Sequence, residues 1–545
     1  MTPSQSVRVH EFRQILVWPF RLEGRRTTEP GSLRDDAAKA LARGGWTEIS
    51  RLLDHLGAAG DDQGAYQEFV YFHPFVRDFL FGRNGQSEEV RLFRCADYDG
   101  MEATFDHATD DFTVPFRVER ANLYLFDAGI AVLALEILND GEVIVAASSQ
   151  SMRLEHAQIV QERLRRAYPP FWSSSGQAGL MPASVLWRRQ DGQSCPKHVP
   201  QPPADMIDQT VKDGEPRLAG HWEALLKPLL SPDGVRIRQV VDDRIPQMLY
   251  LRVDNPAAIA RGDWVRLANC DEPNALPLPY AENFLGDFEA RCCYDRYWIK
   301  NDDGNLNVGA ASRYLFSGYG FAVVGGERNG FFKEFLPTHF RRHYFQLALL
   351  AQFEHAALLA ESQRLANAEG AKEVERALKR VLDFTQKYWF VSVSNQTQAR
   401  EMYALWRTHL NTEALYQQVR DEARAAAAYQ DATENRRPTD ATTRLTIAAL
   451  LVAVPSLATG FLGMNVLVAD KGDGAGTIKA WGSADWTIFA WAVLFAGMIV
   501  SLAGMGGLAY RHLSGGDWSG WVKLWSLPLI TFIACAVGVY LLYPG

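Results

Sequence analysis

The sequence predicts a mixed α/β domain over residues 1–330, a helical stalk over 331–441 and a transmembrane region over 442–545. Three observations divide the chain this way. Short alternating or apolar runs separated by turn residues fill the first part. Long stretches with helical spacing fill the second. Three uncharged apolar runs of 20 residues or more, Leu445–Val468, Trp486–Tyr510 and Leu524–Tyr543, fill the last, each long enough to cross a bilayer at about 1.5 Å rise per residue.

Within the first part, Val90–Cys95, Thr113–Val118, Ile130–Ile137 and Met248–Val253 read as strands. Asp99-Gly100 and Asp303-Gly304 are hairpin-turn signals. Leu154–Ala167 has helical periodicity and stops before Pro169-Pro170. The stretch Ser173–Asp213 is rich in Ser, Gly, Pro and Gln and reads as a loop-rich connection. In the second part a helix is predicted from Pro337-Thr338 to about Ala368, carrying Phe345, Leu349, Leu350, Phe353, Ala357 and Leu358. Gly370 separates it from a stretch holding Val374, Leu378, Val381, Phe384 and Tyr388. A third run holds Met402, Leu405, Trp406, Leu410, Tyr416 and Val419, and the alanine-rich tract Glu422–Gln430 continues as helix.

Arg436, Arg437 and Arg444 precede the first apolar run, and Arg511 and Lys523 bound the loop between the second and third. The positive-inside rule then places the soluble domain and that loop in the cytoplasm, and Gly545 outside. No N-terminal apolar segment resembles a cleavable signal. The expected location is an inner or plasma membrane, crossed several times. The net charge is −8, and the part before Thr442 holds 51 Lys and Arg against 60 Asp and Glu. This acidity argues against a nucleic-acid partner. None of the six cysteines shows C-x-x-C spacing, which reads as reduced thiols.

The first run ends in Pro455-Ser456-Leu457-Ala458-Thr459-Gly460-Phe461-Leu462-Gly463-Met464-Asn465. On its own, Gly-Met-Asn also fits an ordinary helix C-cap. At the exit of the first of a few C-terminal spans, after a long soluble region, it resembles the CorA family of magnesium and divalent-cation channels. The glycine five residues before the asparagine and the hydroxyl nine before it match the family pattern. Leu462 stands where members usually carry an aromatic residue, and the proline is displaced by one. Members normally have two spans; three are predicted here.

The resemblance implies an oligomeric, pentameric CorA-like funnel: a homopentamer in a lipid membrane that passes divalent cations, Mg2+ foremost, with Co2+, Ni2+ or Zn2+ as alternatives. It implies a pore lined by the first span, with Gly463, Met464 and Asn465 at the outer mouth. The chemistry is consistent with this. Magnesium gives up its water reluctantly, so a ring of asparagine carbonyls can accept hydrogen bonds from the hydrated ion without trapping it. Gly463 lets backbones approach closely. Further down, Leu445, Ala449, Ala453 and Ser456 would line the conduit, and Pro455 frees the carbonyl of Leu451; a plain kink is the alternative. Asp470 and Asp473 follow the motif where members place a Met-Pro-Glu-like segment that this chain lacks. They either recruit cations or are simply solvated.

Two further candidates lie in the soluble part. Asp97, Asp99, Glu102, Asp106, His107, Asp110 and Asp111 form an acidic cluster that starts like a calcium loop without completing it. His339 and His343 have a helical i, i+4 spacing that can chelate zinc, with no third ligand nearby in sequence. No phosphate loop, nucleophile elbow or zincin motif occurs. The expectation is a channel rather than an enzyme, without a resident cofactor and driven only by the ion gradient. The rival expectation is a membrane-anchored sensor or effector whose cytoplasmic domain binds a ligand or partner.

Overall fold

The computed structural model describes residues 7–24, 30–57, 62–83, 87–106, 111–169, 180–199, 210–212, 214, 216–230, 234–273, 280–368 and 371–429. The chain divides into two units, Met1–Ala426 and Ala427–Gly545. The three predicted spans lie outside the described residues. Among the described residues, no helix is long and apolar enough to cross a membrane.

The first unit is built on six elements: β1 (Val9–Gly24), α1 (Pro30–Arg43), β2 (Phe112–Phe126), β3 (Ile130–Asn139), α2 (Leu154–Arg163) and β4 (Gln247–Val253). In space the strands run β2–β3–β1–β4, each neighbour antiparallel. Helices follow β1 and β3, so this is the split β-α-β arrangement. Side chains alternate across the sheet. On β1, Leu16 and Trp18 enter the layer that holds Leu33 and Leu41 of α1 and Leu154, Ala157 and Val160 of α2. Ile15 and Val17 enter the opposite layer. Every residue of β3 is buried, as expected of a strand covered on both faces.

The sheet extends beyond β4 by β5 (Ser312–Ser317) and β6 (Gly320–Gly326), with β6 parallel to β4 and antiparallel to β5. On the other side it extends through Tyr98–Phe105 and the hairpin Ser184–Arg189/Ser194–His198.

The opposite layer is helical. A π-helical turn, Phe340–Tyr344, leads into α3 (Phe345–Ala366), followed by α4 (Ala371–Lys387) and α5 (Thr397–His409). Of the 22 residues of α3, 15 are buried. Phe353 stacks on Phe126 of β2 at 4.1 Å between ring centroids and meets Phe79 at 5.6 Å. A helix buried almost all round belongs to a core. The helices expected to form a stalk are thus, as far as Ala426, part of the same compact unit as the sheet. A chain cut at Phe331 would strip the sheet from Leu347, Leu350 and Phe353.

The predicted strands are present, as Val90–Arg94 and within β2, β3 and β4. Gly304 sits in a turn at φ +82°, its N–H donating to the Asn301 carbonyl at 2.9 Å. Two local expectations are corrected. Asp99-Gly100 lies inside the strand Tyr98–Phe105, because Gly100 pairs on both sides, with Arg117 and Arg188. The connection at 173–213 contains the hairpin named above, which turns at Gly192 (φ +73°) and is anchored by Trp187, whose indole N–H donates to the His221 carbonyl at 3.0 Å. Cys95, Cys195, Cys270, Cys292 and Cys293 are free thiols.

Candidate functional site

The residues expected at the pore, Gly463, Met464, Asn465, Leu445, Ala449, Ala453 and Ser456, and the loop aspartates Asp470 and Asp473, all lie outside the described residues. Within the described unit the chemistry concentrates where the sheet meets the start of α3.

Glu136 of β3 is fully buried and faces three guanidinium groups. Arg13 of β1 approaches at 2.6 Å, Arg120 of β2 at 2.9 Å and Arg341 of the π-helical turn at 2.6 Å. Arg341 also reaches Glu119 at 3.1 Å. The next residue, Arg342, pairs with a second buried carboxylate, Glu68, at 2.7 Å. Gln346 donates to Glu68 at 2.8 Å, and His55 Nε2 lies 3.0 Å from it. Arg120 donates to His55 Nδ1, so His55 is neutral and carries its proton on Nε2, toward Glu68. Burial opposes ionisation of both carboxyls; Arg120, Arg341 and Arg13 prevail at Glu136 and hold it at about 2, while the His55 N–H and Arg342 hold Glu68 below the usual carboxylate range. The Arg120 guanidinium also stacks over Phe345 at 3.9 Å.

This network ties β1, β2 and β3 to the start of α3 and to the 52–71 segment. His55, Glu68, Arg120 and Glu136 have no exposed side-chain surface. A sealed network does not receive a ligand from solution. It fixes the register between sheet and helix layer, which any signal passing between the layers must respect. The π-helical turn aims two consecutive arginines at two different carboxylates; such turns recur at functional positions. The sequence signal for it was a single glutamate in the apolar run Ile130–Ile137.

A third buried carboxylate, Glu354 of α3, is held differently. One oxygen accepts the Phe390 N–H at 2.9 Å; the other has no hydrogen-bond partner. Arg407 of α5 lies 3.8 Å away, but it donates to the Phe390 carbonyl at 3.1 Å and to Glu413 at 2.8 Å, and stacks over Trp389 at 3.9 Å. Burial pushes the Glu354 carboxyl from 4.5 up to about 7, against the pull of Arg407, the Phe390 N–H and Tyr403.

The folded chain therefore holds a proton that the unfolded chain releases between those two values. Stability from this group is full below about 4.5 and is lost as pH rises to about 7. Glu354→Gln should remove that slope, a difference of about 3 kcal/mol across the window. Urea unfolding of both proteins from pH 4.5 to 7.5 checks it; parallel curves would contradict the assignment.

Among the described residues, no group of three or more His, Cys, Asp and Glu side chains is placed to hold a metal ion. The Nδ1 atoms of His339 and His343 lie 3.1 Å apart, and burial lowers the pKa of both rings. In the acidic cluster, Glu102 pairs with Arg188 and Asp97 lies 3.9 Å from Arg189; His107 and Asp110 lie outside the described residues. Compared with models of known protein families, with characterised proteins and with solved structures, the chain matches none.

Proposed function

We propose that the chain is a CorA-like membrane channel that conducts divalent cations, most readily Mg2+, passively through a pore lined by its first span. The observation that carries this reading is the placement of Gly463-Met464-Asn465 at the far end of the first uncharged run, after a long soluble region. A ring of Asn465 carbonyls from several copies, five if the likeness extends to stoichiometry, accepts hydrogen bonds from hydrated Mg2+. Ser456 supplies a hydroxyl further in, and Leu445, Ala449 and Ala453 form an apolar stretch that can close by dewetting. Asp470 and Asp473 raise the local cation concentration outside. The α/β unit is cytoplasmic and sets how often the pore opens.

A second reading, a membrane-anchored sensor or effector, is favoured by one observation. Residues 1–426 form a single compact unit, larger than a pore alone requires. Ion flux into liposomes carrying the purified protein separates the two. The channel reading expects uptake of Mg2+, with Co2+ and Zn2+ compared in parallel. Absence of uptake for every divalent ion, from protein that is correctly inserted, would leave the effector reading.

A further inference from the structure

We propose that the cleft at one end of the sheet binds a small soluble molecule bearing a phosphate group. The cleft holds about 930 Å³, within the range of small-molecule sites. The end of β1 at Gly24, the C-terminal half of α1, the segment from Cys95 to Tyr98, Arg189, the segment from Ala224 to Pro228, and Gly234 and Val235 converge on it. Trp46, Leu225 and Val235, all buried, give it an apolar floor.

Its charges are unbalanced. Among the described residues, Lys39, Arg43, Arg189 and Lys227 line it against Asp36 and Asp97. Lys39 takes up Asp36 at 3.1 Å. Asp97 lies 3.9 Å from Arg189, which also binds Asp191 at 2.8 Å. Among the described residues, Arg43 and Lys227 have no acidic partner. These two cations belong to touching segments. A Cβ at Gly44 would fall 2.3 Å from Cγ of Pro228, so the backbone after Arg43 lies directly on the residue after Lys227.

Arg43 donates to the Lys39 carbonyl at 3.2 Å and, like Lys227, is exposed; the two leave the described lining of the cleft net positive, in a part of the chain that carries more acids than bases overall. A net positive cleft attracts an anion. A monocarboxylate carries a single charge, whereas a phosphate has up to two charges and three acceptor oxygens. It can accept from a guanidinium on one side and an ammonium on the other. The apolar floor would take the organic part of the molecule.

The inference does not depend on whether the spans conduct, because its test reads binding. Isothermal titration of full-length protein in detergent is carried out with inorganic phosphate, pyrophosphate and adenosine monophosphate. The unliganded melting temperature of each variant serves as the folding control. At least one probe should bind, and Arg43→Gln and Lys227→Gln should each weaken it about tenfold or more. Tighter binding of adenosine monophosphate than of pyrophosphate would add the apolar floor to the site. Failure of all three probes to bind the wild-type protein overturns the proposal. Equal binding by wild type and a folded Arg43→Gln/Lys227→Gln double variant overturns it as well.

Discussion

Replacing Asn465 with alanine should reduce divalent-cation uptake to the background of empty liposomes while leaving the oligomer intact. In the proposed pore, the substitution would remove the convergent carbonyls that accept hydrogen bonds from the hydration shell of Mg2+. It leaves the apolar stretch that inserts the span unchanged. Gly463→Val should be at least as damaging, because it crowds the axis and removes the backbone freedom of glycine. Size-exclusion chromatography of the detergent-solubilised protein reports assembly, and a Mg2+-sensitive dye inside the liposomes reports uptake. Unchanged uptake by a correctly assembled Asn465→Ala protein would remove Asn465 from the pore.

The second large effect is on stability. Glu136→Leu should destabilise the unit Met1–Ala426 by about 3–5 kcal/mol, because it leaves the cations of Arg13, Arg120 and Arg341 buried without their shared carboxylate. Glu136→Gln should lose less, since its amide oxygen still accepts from two of the three. Arg341→Ala should lose less again; its side chain is 20 % exposed and Glu136 keeps two arginines. Guanidinium unfolding followed by tryptophan fluorescence gives the ranking. A Glu136→Leu protein within about 1 kcal/mol of wild type would mean that the network is incidental to the register of the layers.

Much of the fold of the first unit was legible because hydrophobic period reports local conformation. Ile130–Ile137 read as a strand and is one, and so do the runs at 90, 113 and 248. Period does not report what covers an element. The helix expected from Pro337 to about Ala368 is present, as the segments Leu336–His339, Phe340–Tyr344 and Phe345–Ala366, but its position in the core follows from Leu347, Leu350 and Phe353 meeting a sheet that includes a strand more than 300 residues earlier in sequence. Asp99-Gly100 misled because a dipeptide that favours turns was overruled by pairing on both edges.

Glu136 and Glu354 were not singled out, although each interrupts an apolar stretch. Their partners, Arg341 and Arg407, come from distant segments that sequence spacing does not connect. His339 and His343 were legible as a pair of neighbours and no further, since a third ligand is a tertiary matter. The pore motif is the reverse case. Its legibility rests wholly on sequence, through the order Gly463-Met464-Asn465 at the end of an uncharged run.

The most direct test of the central claim is Mg2+ entry into liposomes that carry the purified full-length protein and no added nucleotide, measured against an imposed membrane potential. A passive divalent pore gains about 4.6 kcal/mol per 100 mV, twice the single-charge figure. The proposal predicts entry that begins without any energy source and quickens as the interior is made more negative. Entry that is absent at every potential, or that begins only once a small molecule is supplied, would contradict it and leave the protein as a membrane-anchored effector.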